Sequence, residues 1–201
     1  MRSSIDFMLN DWLAVENLLE RPRFADHSAE TFSGVLDLCE RMARETFAPI
    51  NRLVDIEEPY VENGKVVLPS ATHEALTAYA GSGMLAATHD EAAGGMQLPV
   101  TVETAANAFF YKDSIAVAAY PMLTSANANL IMAHGTDTQK EVFARRQLDG
   151  QWFGTMCLSE PQAGSSLSDI ATRATPDGAD FEADPLGARY RLRGNKMWIS
   201  G

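Results

Sequence analysis

Residues 156–166, Met-Cys-Leu-Ser-Glu-Pro-Gln-Ala-Gly-Ser-Ser, hold the densest set of groups in this chain that could do chemistry. An apolar run delivers Ser159 and Glu160 to a proline turn, and small residues follow. Gly164 would let a ligand approach the backbone closely, and hydroxyls beside free loop N–H groups suit a polar heterocycle or a phosphate. A solvated turn whose serines satisfy their own backbone uses the same residues, and on this segment alone that plainer reading is preferred. Trp198 and Ser200 form a second pair. Two residues apart on an extended run, they share a face. An indole beside a hydroxyl could border a planar cofactor, although a tryptophan on a half-buried strand is more often packing. Glu160 and Asp169 invite a paired-acid reading, but Glu160 stands where a carboxylate would hold the turn together.

Composition narrows the partners. Sixteen Lys and Arg against 27 Asp and Glu give a formal net charge of −11. Such a field repels phosphate backbones and anionic lipid, so nucleic acid is not an expected partner, nor is a membrane surface. Cys39 and Cys157 have no metal-ligand spacing, and His27, His73, His89 and His134 are scattered, which disfavours a structural metal. The first 20 residues are interrupted by Asp6, Asn10, Asp11 and Glu16, unlike a signal peptide. No apolar stretch reaches the length expected of a membrane span. The expected setting is cytoplasmic.

The elements that must position these residues fall into two textures. Residues 1–150 read as a helical domain. Phe32, Val35, Leu36, Cys39, Met42, Ala43, Phe47 and Ile50 make a helical stripe that Pro49 should kink. Pro69 opens a helix through about Ala80, and another spans about Val100 to Tyr111. Pro121 opens one more, running to His134, and Thr136 with Gln139 fits a capping box. Lys65 to Leu68 is a short extended piece. Residues 151–201 read as the start of a β-domain: a strand over Trp152 to Leu158, a loop, a second strand at Ile170 to Ala174, and an exposed loop to Gly187. A hairpin about Gly194-Asn195 then pairs Arg189–Arg193 with Lys196–Ser200. The predicted class is therefore α+β, an all-α helical domain followed by an incomplete β-domain. A chain ending on its own core strand reads as a fragment.

Taken together, these segments resemble the acyl-CoA dehydrogenase family. Cys157-Leu158-Ser159-Glu160-Pro161-Gln162-Ala163-Gly164-Ser165 is similar to the family's C-[LV]-[ST]-E-P-x-A-G-S-D. Leu192 to Ser200 is similar to its strand-G-x-K-x-[WF]-I-[ST]. Glu91 to Pro99 looks like E-x-x-G-G-x-x-L-P, and His134 to Lys140 looks like a helix-turn carrying G-[ST]-x-x-Q-K. Four matches in order are far more specific than one. The helix from Ile5 to Arg21 and the run Ile199-Ser200-Gly201 look most like the longer subgroup that includes methylthiopropanoyl-CoA dehydrogenase.

The resemblance implies an FAD enzyme that takes a hydride from the β-carbon of an acyl-CoA while a glutamate removes the α-proton. It also implies a helical N-domain, a middle β-domain of the acyl-CoA dehydrogenase type and a C-terminal helical domain, usually in a homo-oligomer, with electron-transfer flavoprotein or a similar acceptor as partner. By position, Met156, Leu158 and Ser159 would line the flavin's polar edge, Trp198 would flank its rings, and Ser200 would bond near the hydride-accepting nitrogen. Ser165 would touch both cofactor and substrate. No residue is assigned as the catalytic base, which the family carries in its C-terminal domain, so the chain alone is expected to be inactive. Ser166 departs from the family's Asp, and the loop from Thr175 to Ala188 is longer than usual. Acyl-CoA oxidases, nitroalkane oxidases and alkylation-response flavoproteins share the pattern, and a non-catalytic helical interaction module is the remaining alternative.

Overall fold

The computed structural model describes residues 1–200; Gly201, at the end of the expected last strand, lies outside the described residues. The chain opens with α1 (Arg2–Asp6), which runs on as a π-helical turn over Phe7–Trp12. Ala14, at φ +46°, then redirects it into a 3-10 turn over Val15–Glu20. Ile5, Leu9 and Val15 are the buried side chains of this stretch. Arg2 ties it to the next helix, donating to Asp6 at 2.8 Å, Asp37 at 2.5 Å and Ser33 at 3.2 Å.

Ser28 caps α2 (Ala29–Met42) by accepting the Thr31 N–H. Phe32, Leu36, Cys39, Ala43 and Phe47 are buried at three- and four-residue steps, as the sequence stripe predicts. Pro49 does not break the helix. Its missing N–H and bulky ring are absorbed by a change of pitch: a π turn over Ala43–Phe47, a 3-10 turn over Ala48–Ile50, then α3 (Asn51–Ile56). Next comes a hairpin of β1 (Tyr60–Glu62) and β2 (Lys65–Val67), with Val61 opposite Val66. Its turn residues Asn63 and Gly64 both take positive φ, +51° and +74°, the conformation that an Asn-Gly turn favours.

After α4 (Ser70–Gly81), the central element is α5 (Val100–His134). The two helices expected here are one. The bend falls at buried Ser114, whose φ and ψ of −161° and 95° are not helical, while Pro121 lies within the second half and costs one ladder donor. By length and composition α5 is also apolar enough to cross a membrane, contrary to expectation. One face of it is used internally: Val102, Ala106, Phe109, Phe110, Val117 and Ala118 are buried, and the helix packs on α2, α3 and α4. At the centre Phe110 meets Phe47 and Tyr79 edge-on, with ring centroids 4.8 and 4.9 Å apart. Burial among these groups pushes the Cys39 thiol up to about 12. The capping box forms as read: Gln139 N–H donates to Thr136 Oγ1 at 3.2 Å and Thr136 N–H to Gln139 Oε1 at 2.9 Å, opening α6 (Asp137–Gln139). The last helix, α7 (Arg145–Leu148), ends just before Gly150.

Beyond Gly150 the architecture departs from expectation. Trp152 to Leu158 carries no strand ladder, and the second strand is β3 (Arg173–Pro176), shifted from Ile170–Ala174. β4 (Tyr190–Arg193) pairs with β3 in the register Arg173↔Arg193 to Pro176↔Tyr190, not with Lys196–Ser200. The expected hairpin fails for a local reason. Gly194 is not in the left-handed region, and it serves close approach instead: a Cβ there would lie 2.0 Å from Thr172 Oγ1. Trp198, at φ +59°, also breaks the alternation that put it and Ser200 on one strand face. Glu160 and Ala163 are the buried residues among those described after Gly150.

Candidate functional site

Glu160 is the hub of this second region. Its N–H donates to the Ala163 carbonyl at 2.8 Å and the Ala163 N–H returns the bond at 3.0 Å, closing the turn over Pro161 and Gln162. The buried carboxylate accepts from Ala171 N–H at 2.7 Å, Thr172 N–H at 3.0 Å, the Thr172 hydroxyl and Gln162 Nε2 at 2.8 Å. Lys196 Nζ lies 2.9 Å from Oε1 and also donates to the Leu158 carbonyl at 3.0 Å. The Thr172 hydroxyl, Lys196 and the backbone donors hold this carboxyl far below the usual carboxylate range. A carboxylate satisfied in this way is a poor proton acceptor, and its role is to gather three segments. The Asp169 carboxylate takes no part; only its backbone carbonyl meets Gln162, at 3.3 Å. The paired-acid reading therefore has no geometry behind it.

The hub lays the run Thr155–Ser159 beside Lys196–Ser200. Met197 N–H donates to the Ser159 carbonyl at 3.0 Å, and the Thr155 hydroxyl to the Ser200 carbonyl. Met156, Leu158 and Ser159 thus lie on one run, with Trp198 and Ser200 on its neighbour. Ser159 is half-buried and Ser200 exposed, whereas the Trp198 indole is 82% exposed and Met156 is 53% exposed. Ser165 stands on the exposed loop beyond the hub, its carbonyl accepting the Leu167 N–H at 3.1 Å. Ser166 holds the next turn through its carbonyl, which accepts the Asp169 N–H at 3.0 Å. The start of this region is moored to α5, since Gly154 N–H donates to buried Thr124 Oγ1 at 3.0 Å and Phe153 meets Tyr120 edge-on.

Sequence reasoning missed Thr172 and Lys196 as partners of Glu160. The lysine sat inside a quoted motif and needed only a carboxylate to answer it. A buried network in the helical part was also missed: Tyr79 OH donates to Asn107 Oδ1 at 2.7 Å, and Asn107 Nδ2 to Glu103. Polar residues four apart on an apolar helix were its signal. Burial raises the Glu103 carboxyl above its ordinary value, with the Asn107 bond opposing the shift, and pushes the Tyr79 hydroxyl far above the phenol range.

A bundle around one long bent helix is thus followed by a carboxylate-centred region of short strands. Residues 34–151 match the family model described as acyl-CoA dehydrogenase, N-terminal domain, and the chain belongs to that family. It is 30% identical over 194 residues to 3-methylmercaptopropionyl-CoA dehydrogenase of Ruegeria pomeroyi, covering 96% of this chain and 31% of that protein. To butyryl-CoA dehydrogenase of Syntrophomonas wolfei it is 25% identical, over 98% of this chain and 32% of that one. The solved butyryl-CoA dehydrogenase of Megasphaera elsdenii shares the fold, with a TM-score of 0.68 at 24% identity over 86% of this chain and 41% of that chain. The chain spans about a third of the length of the curated relatives it matches.

Proposed function

We propose that this chain supplies the helical wall and the flavin-flanking runs of an FAD-dependent acyl-CoA dehydrogenase, with residues 1–150 as the wall and residues 151–201 as the start of the middle β-domain. The observation that carries the reading is the Glu160 hub, which sets the Met156–Ser159 run against the Lys196–Ser200 run with the Trp198 indole open beside them. The groups fit a planar heterocycle in kind: an uncovered indole, the apolar Met156 and Leu158, and hydroxyls at Ser159, Ser165 and Ser200. The chemistry that a bound FAD supplies is acceptance of a hydride from the β-carbon of an acyl-CoA thioester.

This chain's own residues would then bind and orient. Trp198 would cover one face of the rings and exclude water from it. The Ser159 hydroxyl, with backbone groups of Met156 and Leu158, would hold the polar edge, and Ser200 would bond beside the hydride-accepting position. Ser165 would stand between cofactor and acyl thioester. Such bonds favour the electron-rich reduced ring. Neither of the two bonded carboxylates, Glu160 and Glu103, meets the needs of the base. Glu160 is held ionised by its donors, and Glu103 is bonded to Asn107 in the helical part. The α-proton would go to a residue that we do not assign within this chain. A cytoplasmic homo-oligomer passing electrons to an electron-transfer flavoprotein or similar acceptor, in fatty acid metabolism, completes the proposal.

Titration of the chain with FAD, followed by flavin fluorescence, tests the reading. The expected result is saturable binding that Trp198→Ala weakens by roughly tenfold, the scale of losing one stacked aromatic contact. Acyl-CoA-dependent dye reduction by the chain alone should be absent. Unchanged FAD affinity in Trp198→Ala would remove the indole from the site, and turnover by this chain would overturn the statement about the base. A lack of flavin binding would show that these runs do not hold the cofactor by themselves.

A further inference from the structure

The few residues that lead from the helical part into the Met156–Ser159 run are fastened at every step. Gln151 and Trp152 both donate their N–H groups to the Arg146 carbonyl, at 2.8 and 3.1 Å, and the Arg146 guanidinium carbon lies 4.7 Å from the centre of the Trp152 ring. Phe153 follows on Tyr120, and Gly154 on Thr124. Thr124 is fully buried in α5, 30 residues earlier in the chain. Its hydroxyl proton is already given to the Tyr120 carbonyl at 2.7 Å. The oxygen is therefore left as an acceptor of fixed direction, and the Gly154 N–H fills it.

Gly154 sits in a notch one glycine wide. A Cβ there would stand 2.9 Å from both Cβ and Nδ2 of Asn127 in α5, and 3.1 Å from Oε1 of Gln147 in α7. Gln147 is 4% exposed; its Nε2 donates to the Phe143 carbonyl at 3.3 Å, while its Oε1 is buried without a partner. Gln147 is thus a wall of the notch, and Thr124 is the group that bonds the chain passing through it.

Beyond the notch the run is slung between two supports. Among the described residues, no amide of Thr155–Leu158 finds an acceptor. The near end is Gly154 on Thr124, and the far end is Ser159 and Glu160 at the hub. The Thr155 hydroxyl carries the near end across to the Ser200 carbonyl, so one anchor reaches both neighbouring runs.

We propose that Thr124 is a positioning residue for the cofactor: by holding Gly154 in the notch it fixes the near end of the Thr155–Ser159 run and, through Thr155, the place of Ser200. The link to the cofactor rests on the flavin reading above; the anchor itself does not. Thr124→Val keeps the side-chain volume and removes the acceptor. In the labelled full chain, the backbone order parameters of Thr155 and Met156 should fall by roughly a third, the step from rigid to flexible backbone, while Ala163 and Met197 at the far end stay as they are. FAD affinity should fall by about fivefold, the scale of one hydrogen bond. Thr124→Ser, which returns the hydroxyl, should restore both readouts. Gln147→Leu, which keeps the wall, should move neither. Gly154→Ala should loosen Thr155 and Met156 at least as much as Thr124→Val; circular dichroism checks its fold, and should it melt early the two Thr124 variants decide.

Unchanged order at Thr155 and Met156 in Thr124→Val would overturn the anchor. So would equal loosening at Ala163 and Met197, or loosening that Thr124→Ser does not reverse, since either is general destabilisation. Equal loosening by Gln147→Leu would put packing in place of the bond and overturn it too. Loosening with FAD affinity unchanged would overturn the positioning role and leave the flavin reading standing. A wild-type chain that takes up no FAD would count against the flavin reading alone, and the order parameters would still decide the anchor.

Discussion

Up to Leu148 the chain is organised by side chains that meet one another in a buried interior; beyond Gly150 it is organised by hydrogen bonds, those gathered on one carboxylate and those of the short β3–β4 ladder. The helical part buries Phe47, Phe109, Phe110, Leu36, Leu76 and Val102 to within a few per cent of full coverage, whereas Leu192 and Trp198 remain 76% and 82% exposed. A packed interior spreads its stability over many contacts, so one loss is costly without being fatal. A hub concentrates order on one group, and segments far apart in sequence depend on it together. The region that the proposed cofactor would touch is thus the one held by the fewest groups.

Separate substitutions can break this comparison. The largest effect is expected for Phe110→Ala, which removes a ring wedged between Phe47 and Tyr79 and should cost roughly 3–5 kcal/mol in urea unfolding. Leu192→Ala in β4 should stay within about 0.5 kcal/mol, and comparable costs at the two positions would erase the distinction. Glu160→Gln comes next. Hydrogen exchange at Ala171, Thr172 and Met197 should quicken by roughly tenfold or more, while the amides around Phe110 keep their protection. If both regions quicken together, the hub does not act separately.

Acid should move the two regions in opposite directions. Glu160 is depressed in the fold, so its contribution is present above the ordinary glutamate range and is lost as pH falls toward its folded value. Glu103 is raised, so its contribution is fully present below that range and is lost as pH rises through its folded value. Residue-resolved exchange between neutral and acidic pH should show the Glu160 amides opening as the helical interior tightens, and Glu103→Gln should flatten only the second trend. The smallest effect is Thr136→Ala, which removes half of the capping box. About 1 kcal/mol, or about 3 °C in Tm, is expected.

What could be read from the sequence follows the same divide. The stripe from Phe32 to Phe47 and the Thr136–Gln139 cap are local patterns, set by helical period and by hydrogen bonds three residues apart, and both formed as read. Pro121 misled because a buried helix can lose one donor and continue, while the bend at Ser114 carries no signal in its own residue type. The β-region was misjudged where pairing is non-local. Gly194-Asn195 resembled a turn, yet the glycine was answering Thr172, 22 residues earlier. The true two-residue turn, Asn63-Gly64, lay in the open, in the order that favours positive φ at both positions, and went unread. The motif residues 156–159 and 196–200 were legible as a pair, but the hub that joins them was not, because Thr172 and Lys196 become its donors only once three segments meet.

The placement of the tryptophans has a practical consequence. Trp12, Trp152 and Trp198 are 72%, 41% and 82% exposed, so none lies in the helical interior. Indole emission from this chain should already be that of a solvent-facing ring in the native state, and should change little as the interior melts. The reporter of that interior is instead the Tyr79 phenol, buried and bonded to Asn107, whose near-ultraviolet signal should vanish with the packing around it.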